Sequence, residues 1–196
     1  STFTIDKDGN VTYTGNTTTD GILLVEDVPS VLKISKVEIN GEEELPGAML
    51  EIYDEDGNLI DSWTSGDDTD EQGNMIPHEI SVLENFKPDK LYTLKETTAP
   101  DGYTIATDSI FMIDKEGRVT YEGTITPEGV LLVEDAPTMV FISKVDITTQ
   151  DELPGAKLQI IDKDGTVVEE WISTTEPHII TYKLLIEEEY VLREVT

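Results

Sequence analysis

An internal repeat of 108 residues constrains this chain more than any other feature, because a repeated unit has to fold as a unit within one period. Residues 30 to 63 read SVLKISKVEINGEEELPGAMLEIYDEDGNLIDSW and residues 138 to 171 read TMVFISKVDITTQDELPGAKLQIIDKDGTVVEEW, so Lys144 follows Lys36 at a spacing of 108 residues. Residues 1 to 29, ending GILLVEDVP, match residues 109 to 137, ending GVLLVEDAP, at the same spacing. The chain is therefore expected to hold the C-terminal strands of a preceding module in 1–29, a complete module in 30–137 and the N-terminal part of a following module in 138–196.

Within a module, short runs rich in Val, Ile, Thr and Tyr alternate in polarity, and DKDGN, DEDGN, DKEGR and DKDGT interrupt them as turn signals. No stretch keeps an apolar period of 3.6 over three capped turns, so helices are expected to be minor. The fold class that follows is all-β: tandem antiparallel β-sandwich modules of about seven strands. Stacked through short linkers near Pro29 and Pro137, such modules would form a rod. At 37% hydrophobic residues the chain can build real cores.

Composition removes whole classes of function. A net charge of -29 repels nucleic acid and anionic membrane surfaces. With no cysteine there is no disulfide, thiol nucleophile or zinc-thiolate site. No apolar run approaches a membrane span and no signal segment opens the chain, so an internal piece is expected if the protein is secreted.

Alternate residues of a strand point to opposite faces, so parity assigns side chains to the core. Lys36 shares a face with Leu32 and Ile34, Glu96 with Tyr92 and Leu94, and Asp135 with Leu131 and Val133. The same parity recurs for Lys144 after Val140 and Ile142, for Glu194 after Tyr190 and Leu192, and for Asp27 after Leu23 and Val25. Lone buried charges cost several kcal/mol each, so these groups must be paired, neutralised or chemically consumed. On parity alone, a buried salt bridge or strand-end residues at the rim explain the pattern as well as a reaction does.

The segments ISKVEINGEEELPGAMLEI, LYTLKETTAPDGYTIATDSIFMIDKEGRVT and LLVEDAP resemble the Cna B-type repeat domains of Gram-positive surface adhesins and pilins, also called SpaA-like, with a prealbumin-like fold. The likeness extends over the whole chain. It is especially clear to the isopeptide-forming B-type domain of a streptococcal fibronectin-binding protein. The resemblance implies that Lys36 joins covalently to Asp135 with Glu96 assisting, and that Lys144, Glu194 and Asp27 are the corresponding residues of the flanking modules. Many relatives carry Asn where this chain has Asp135, which changes the leaving group from ammonia to water. Burial favours neutral amines and neutral carboxyls, so Lys36 can attack while Glu96 moves protons. Holding amine and carboxyl together supplies the effective molarity, and no cofactor is required. The reaction happens once per molecule, so the chain is not an enzyme in the turnover sense.

Other signals have plain readings. The DKDGN copies lack the regular spacing and the final glutamate of a calcium loop and are expected to be turns, so no metal site is assigned. His78 and His178 stand without a second His or Cys beside them, and Trp63 and Trp171 occupy equivalent positions, so all four are expected to be structural. The acidic stretch 65 to 76 is an insertion relative to the next copy and reads as a solvated loop, with module-specific recognition as the alternative.

The function expected is a structural stalk or pilin-type repeat at the cell wall, holding an adhesive region away from the cell. The competing function is a binding module that recognises a host matrix protein or glycan through its loops. A glycoside hydrolase is disfavoured, because the carboxylates sit beside a lysine on apolar faces and no aromatic-lined cleft is evident. The partners expected are neighbouring copies of the same module. The ends are complementary: 138–196 supplies Lys144 and Glu194 without a last strand, and 1–29 supplies Asp27 and a last strand without the lysine. Head-to-tail insertion between chains is the expectation that follows, either with a Lys144–Asp27 amide or as pairing without reaction. Such a hybrid lacks only the counterpart of 99–108, expected to be a connection that is either dispensable or cleaved.

Overall fold

The computed structural model describes residues 2–15, 17–24, 30–115 and 117–195. Asp27 lies outside the described residues. The strands, in chain order, are β1 (Phe3–Ile5), β2 (Val11–Tyr13), β3 (Val31–Glu38), β4 (Met49–Asp54), β5 (Leu59–Thr64), β6 (His78–Ser81), β7 (Leu91–Thr98), β8 (Ser109–Ile113) and β9 (Val119–Tyr121). They continue with β10 (Thr124–Ile125), β11 (Val130–Asp135), β12 (Met139–Ile142), β13 (Lys157–Ile161), β14 (Val167–Ile172), β15 (His178–Thr181) and β16 (Val191–Val195). A single helical turn, α1 (Val82–Asn85), follows β6. No helix among the described residues is long and apolar enough to cross a membrane.

The chain divides into two compact units, Ser1–Ser30 and Val31–Thr196. In the second, two sheets in the orders β10-β11-β3-β6 and β5-β4-β7-β8-β9 account for residues 31 to 135. Leu32, Ile34, Leu131 and Val133 from the first sheet and Leu50, Ile52, Tyr92, Leu94 and Phe111 from the second form one buried cluster, so the sheets pack face to face as a sandwich. The nine strands exceed the expected seven because β9 and β10 add short edge pieces. One pairing departs from the antiparallel rule: β3 and β11, the first and last strands, run parallel, with Val133 opposite Lys36 and Asp135 opposite Glu38.

Turns close the hairpins as the sequence suggests. Asp54 Oδ1 accepts the N–H groups of Asp56 and Asn58, while Gly57 takes the φ of 81° that a residue with a side chain would resist. The same arrangement starts from Asp6, Asp70 and Asp162. The insertion 65 to 76 contains the Asp70 turn and a bridge between Thr69 and Met75. His78 stacks on Trp63 with centroids 4.3 Å apart and bonds Asp61 and Asp68, and His178 stacks on Trp171 in the next copy.

Residues 138 to 195 repeat only part of this plan, as the sheets β12-β15 and β14-β13-β16. These correspond to β3-β6 and β5-β4-β7. Counterparts of β8 to β11 are not among them, so apolar positions stay open: Leu192 is 51% exposed where its counterpart Leu94 is 2%. In the first unit, β1 pairs with β2 as β8 pairs with β9. Phe3 there is 58% exposed whereas its counterpart Phe111 is 1%.

Candidate functional site

Lys36, Glu96 and Asp135 meet inside the sandwich, each side chain wholly shielded from solvent. Lys36 and Asp135 come from the parallel pair β3 and β11, where Asp135 lies one same-face step beyond Val133, the register partner of Lys36. A long side chain spans that diagonal. Glu96 comes from the opposing sheet, where β7 pairs with β4 and Glu96 stands opposite Leu50. Lys36 Nζ is in direct contact with Asp135 Oδ1 and lies 3.3 Å from Glu96 Oε1.

Hydrogen bonding leaves this contact chemically incomplete. Lys36 Nζ, Glu96 Oε1 and both carboxylate oxygens of Asp135 make no regular hydrogen bond to the described residues. Buried polar atoms are rarely left in that state, and condensation to an amide would remove the charge on both partners. Burial pushes Glu96 up to about 7, with the negative charge of Asp135 adding to the rise, while the N–H of Ala106 and the charge of Lys36 oppose it. Near neutral pH Glu96 can therefore both hold and release a proton.

Several neighbours were not anticipated from the sequence. Ala106 N donates to Glu96 Oε2 at 2.5 Å. Thr104 N donates to the carbonyl of Ala136, just past Asp135, at 2.9 Å, and Ile39 N donates to the Asp135 carbonyl at 2.8 Å. Behind Lys36, the Ser35 hydroxyl and the Lys36 N–H both donate to Glu44. Burial raises the Glu44 carboxyl above its usual range. Glu44 had a signal, since ELPGA recurs with Glu152, but main-chain donors carry no residue signature.

The second candidate set is brought together without being enclosed. Lys144 Nζ lies 3.2 Å from Glu194 Oε2, close to the spacing of Lys36 and Glu96, yet the Glu194 side chain is 50% exposed. The inward, buried placement expected from parity is not met here. β12 ends at Ile142, before Lys144, and among the described residues no parallel strand supports it as β11 supports β3. Segment 99–108 itself does more than connect two strands, since Ala106 bonds Glu96 and Thr104 bonds the end of β11.

A family profile described as the SpaA prealbumin-like fold domain matches residues 30–127 and 138–196. The chain belongs to the SpaA family of prealbumin-like fold domains. Among solved structures it is similar to the Bacillus anthracis TIE protein, at 24% identity and a TM-score of 0.41, over 99% of this chain and 37% of that one. It is similar to the shaft pilin SpaA of Lactobacillus rhamnosus GG, at 12% identity and a TM-score of 0.38, over 86% of this chain and 88% of that one. The C-terminal fragment of the pilus adhesin SpaC from Lactobacillus rhamnosus GG follows at 16% identity and a TM-score of 0.39, over 86% and 76%. No curated protein matches the chain.

Proposed function

We propose that this chain is a piece of an extracellular stalk of the kind Gram-positive bacteria display at the cell wall, and that its complete module locks itself with a Lys36–Asp135 amide. The observation that carries this reading is the fully buried contact of Lys36, Glu96 and Asp135. Lys36 yields a proton to the Asp135 carboxylate it touches, and the free amine attacks the carboxyl carbon. Glu96 takes a second proton from nitrogen through Oε1 and passes it to the departing hydroxyl. The Nζ–C bond forms, a C–O bond breaks, and one water leaves with two lysine protons and one Asp135 oxygen. Apart from the water lost, nothing turns over, so the step belongs to maturation.

The topology suits a load-bearing role. Tension enters β3 from one side and leaves β11 at the other, and an amide between them carries it past residues 37 to 134 without unfolding them. The bond closes a stretch of 99 residues. By the chain-entropy account such a cross-link is worth about 4 to 5 kcal/mol against unfolding. The end segments suit assembly of neighbouring copies: the open face of 138–196 lacks the hairpin that 1–24 carries, and a Lys144–Asp27 amide assisted by Glu194 is the covalent form of that pairing.

Peptide mapping with force spectroscopy tests the proposal. A branched peptide containing Lys36 and Asp135, and no length release from residues 37 to 134 under tension, are the expected results. Full extension of the complete module at ordinary unfolding forces would reject the load-bearing role.

A further inference from the structure

We propose that residues 100–106 are a strap that positions the condensation, with the main-chain N–H of Ala106 as the group that orients Glu96. This rests on the amide reading above and adds a positioning element to it. Three contacts define the strap. Ala106 N donates to Glu96 Oε2 at 2.5 Å, which turns the other oxygen, Oε1, toward Lys36 Nζ at 3.3 Å. Thr104 donates to the Ala136 carbonyl through its N–H at 2.9 Å and its hydroxyl at 3.1 Å, fixing the strand end that presents Asp135. Tyr103 bridges to Pro137 one residue further on. One short segment thus grips the glutamate on one sheet and the acid-bearing strand on the other.

The need for such a grip follows from the geometry of the reaction. A carboxyl that moves protons has to keep one oxygen on the reacting atoms, and misplacement by about 1 Å costs about 100-fold in rate. Glu96 Oε1 has no regular hydrogen bond of its own among the described residues, so its aim depends on what holds Oε2. Residues 138–195 contain no counterpart of 99–108, and there Glu194 meets Lys144 while half-exposed. Docking of residues 1–24 onto that segment would cover its apolar face but would bring no strap.

Replacing Ala106 with lactic acid by nonsense suppression exchanges the amide N–H for an ester oxygen and leaves the side chain unchanged. Parent and ester chains, recovered unfolded and unreacted, are refolded by dilution over a series of pH values, and loss of water is timed by mass spectrometry. The ester is expected to react at least about tenfold more slowly at its optimum. Its Glu96-dependent limb should also move to higher pH, because the removed bond favoured the ionised carboxyl. Ala106→Val, which keeps the N–H, serves as the control for packing and should retain the parent limb. An ester with the parent rate and limb overturns the strap, and so does a slower ester with an unmoved limb, since that reports packing alone. A refolded parent that keeps its full mass overturns the amide itself, and the strap with it.

Discussion

Lys36 and Lys33 sit three residues apart on one strand and have opposite surroundings. Lys33 pairs with Glu79 at 2.5 Å with both side chains nearly half exposed, an interaction worth under about 1 kcal/mol. Lys36 is buried against two carboxyls, and its truncation would remove both the proposed cross-link and the only cation in contact with them among the described residues. Lys36→Ala is expected to lower the melting temperature by on the order of 20 °C and Lys33→Ala by only a few degrees, as calorimetry would show. Equal losses would contradict the placement. Glu96, raised to about 7 by burial, is placed to exchange a proton near neutral pH, where the proposed condensation would run. Bond formation followed by mass during refolding should therefore show a limb near pH 7. A rate flat across that region would mean that Glu96 does not move the proton. Their inward placement was legible in the sequence because parity aligned them with Leu, Ile, Tyr and Val neighbours, whereas a covalent role came only from the family resemblance.

At the scale of strands and segments, less could be read. Parity places Lys36 and Asp135 on core faces, but it does not state that β3 and β11 pair in parallel, because that register is set by long-range closure. The strap stayed hidden for a related reason: its contacts are main-chain N–H groups, which every non-proline residue carries. Lys144 and Glu194 were legible as a pair but not as an exposed one, since parity assigns a face and does not say what packs on it. The strap also forms a joint. Tyr103 and Tyr182 both donate their hydroxyls to Glu38, at 3.0 and 2.9 Å, and Gly102 accepts from Thr138 N at 2.8 Å. Gly102 has φ of 84°, and a Cβ there would run into the Tyr182 carbonyl. Gly102→Ala is expected to cost about 1 to 2 kcal/mol at this joint and to speed limited proteolysis within 138–196. Unchanged cleavage would show that the joint does not hold that segment.

The whole molecule carries a net charge of -29, which opposes contact between copies. If the exposed hairpin of 1–24 completes 138–196 of another chain, association should strengthen as salt screens that repulsion. Sedimentation at rising ionic strength checks this, and association that weakens with salt would exclude the hairpin pairing as the driving contact. Denaturing electrophoresis separates the covalent form, for which ladders lost in Asp27→Ala are expected, while a single monomer band leaves at most non-covalent exchange. The repeat, the strand content and the family were readable in the sequence, and the family profile matches residues 30–127 and 138–196. The central claim rests on the buried triad, and the intact mass of the folded monomer tests it most directly. The account predicts a mass one water below that of the sequence, restored to the full value expected for each sequence in Lys36→Ala and Asp135→Ala. An unreduced mass for the parent, or the same loss persisting in either variant, would contradict it.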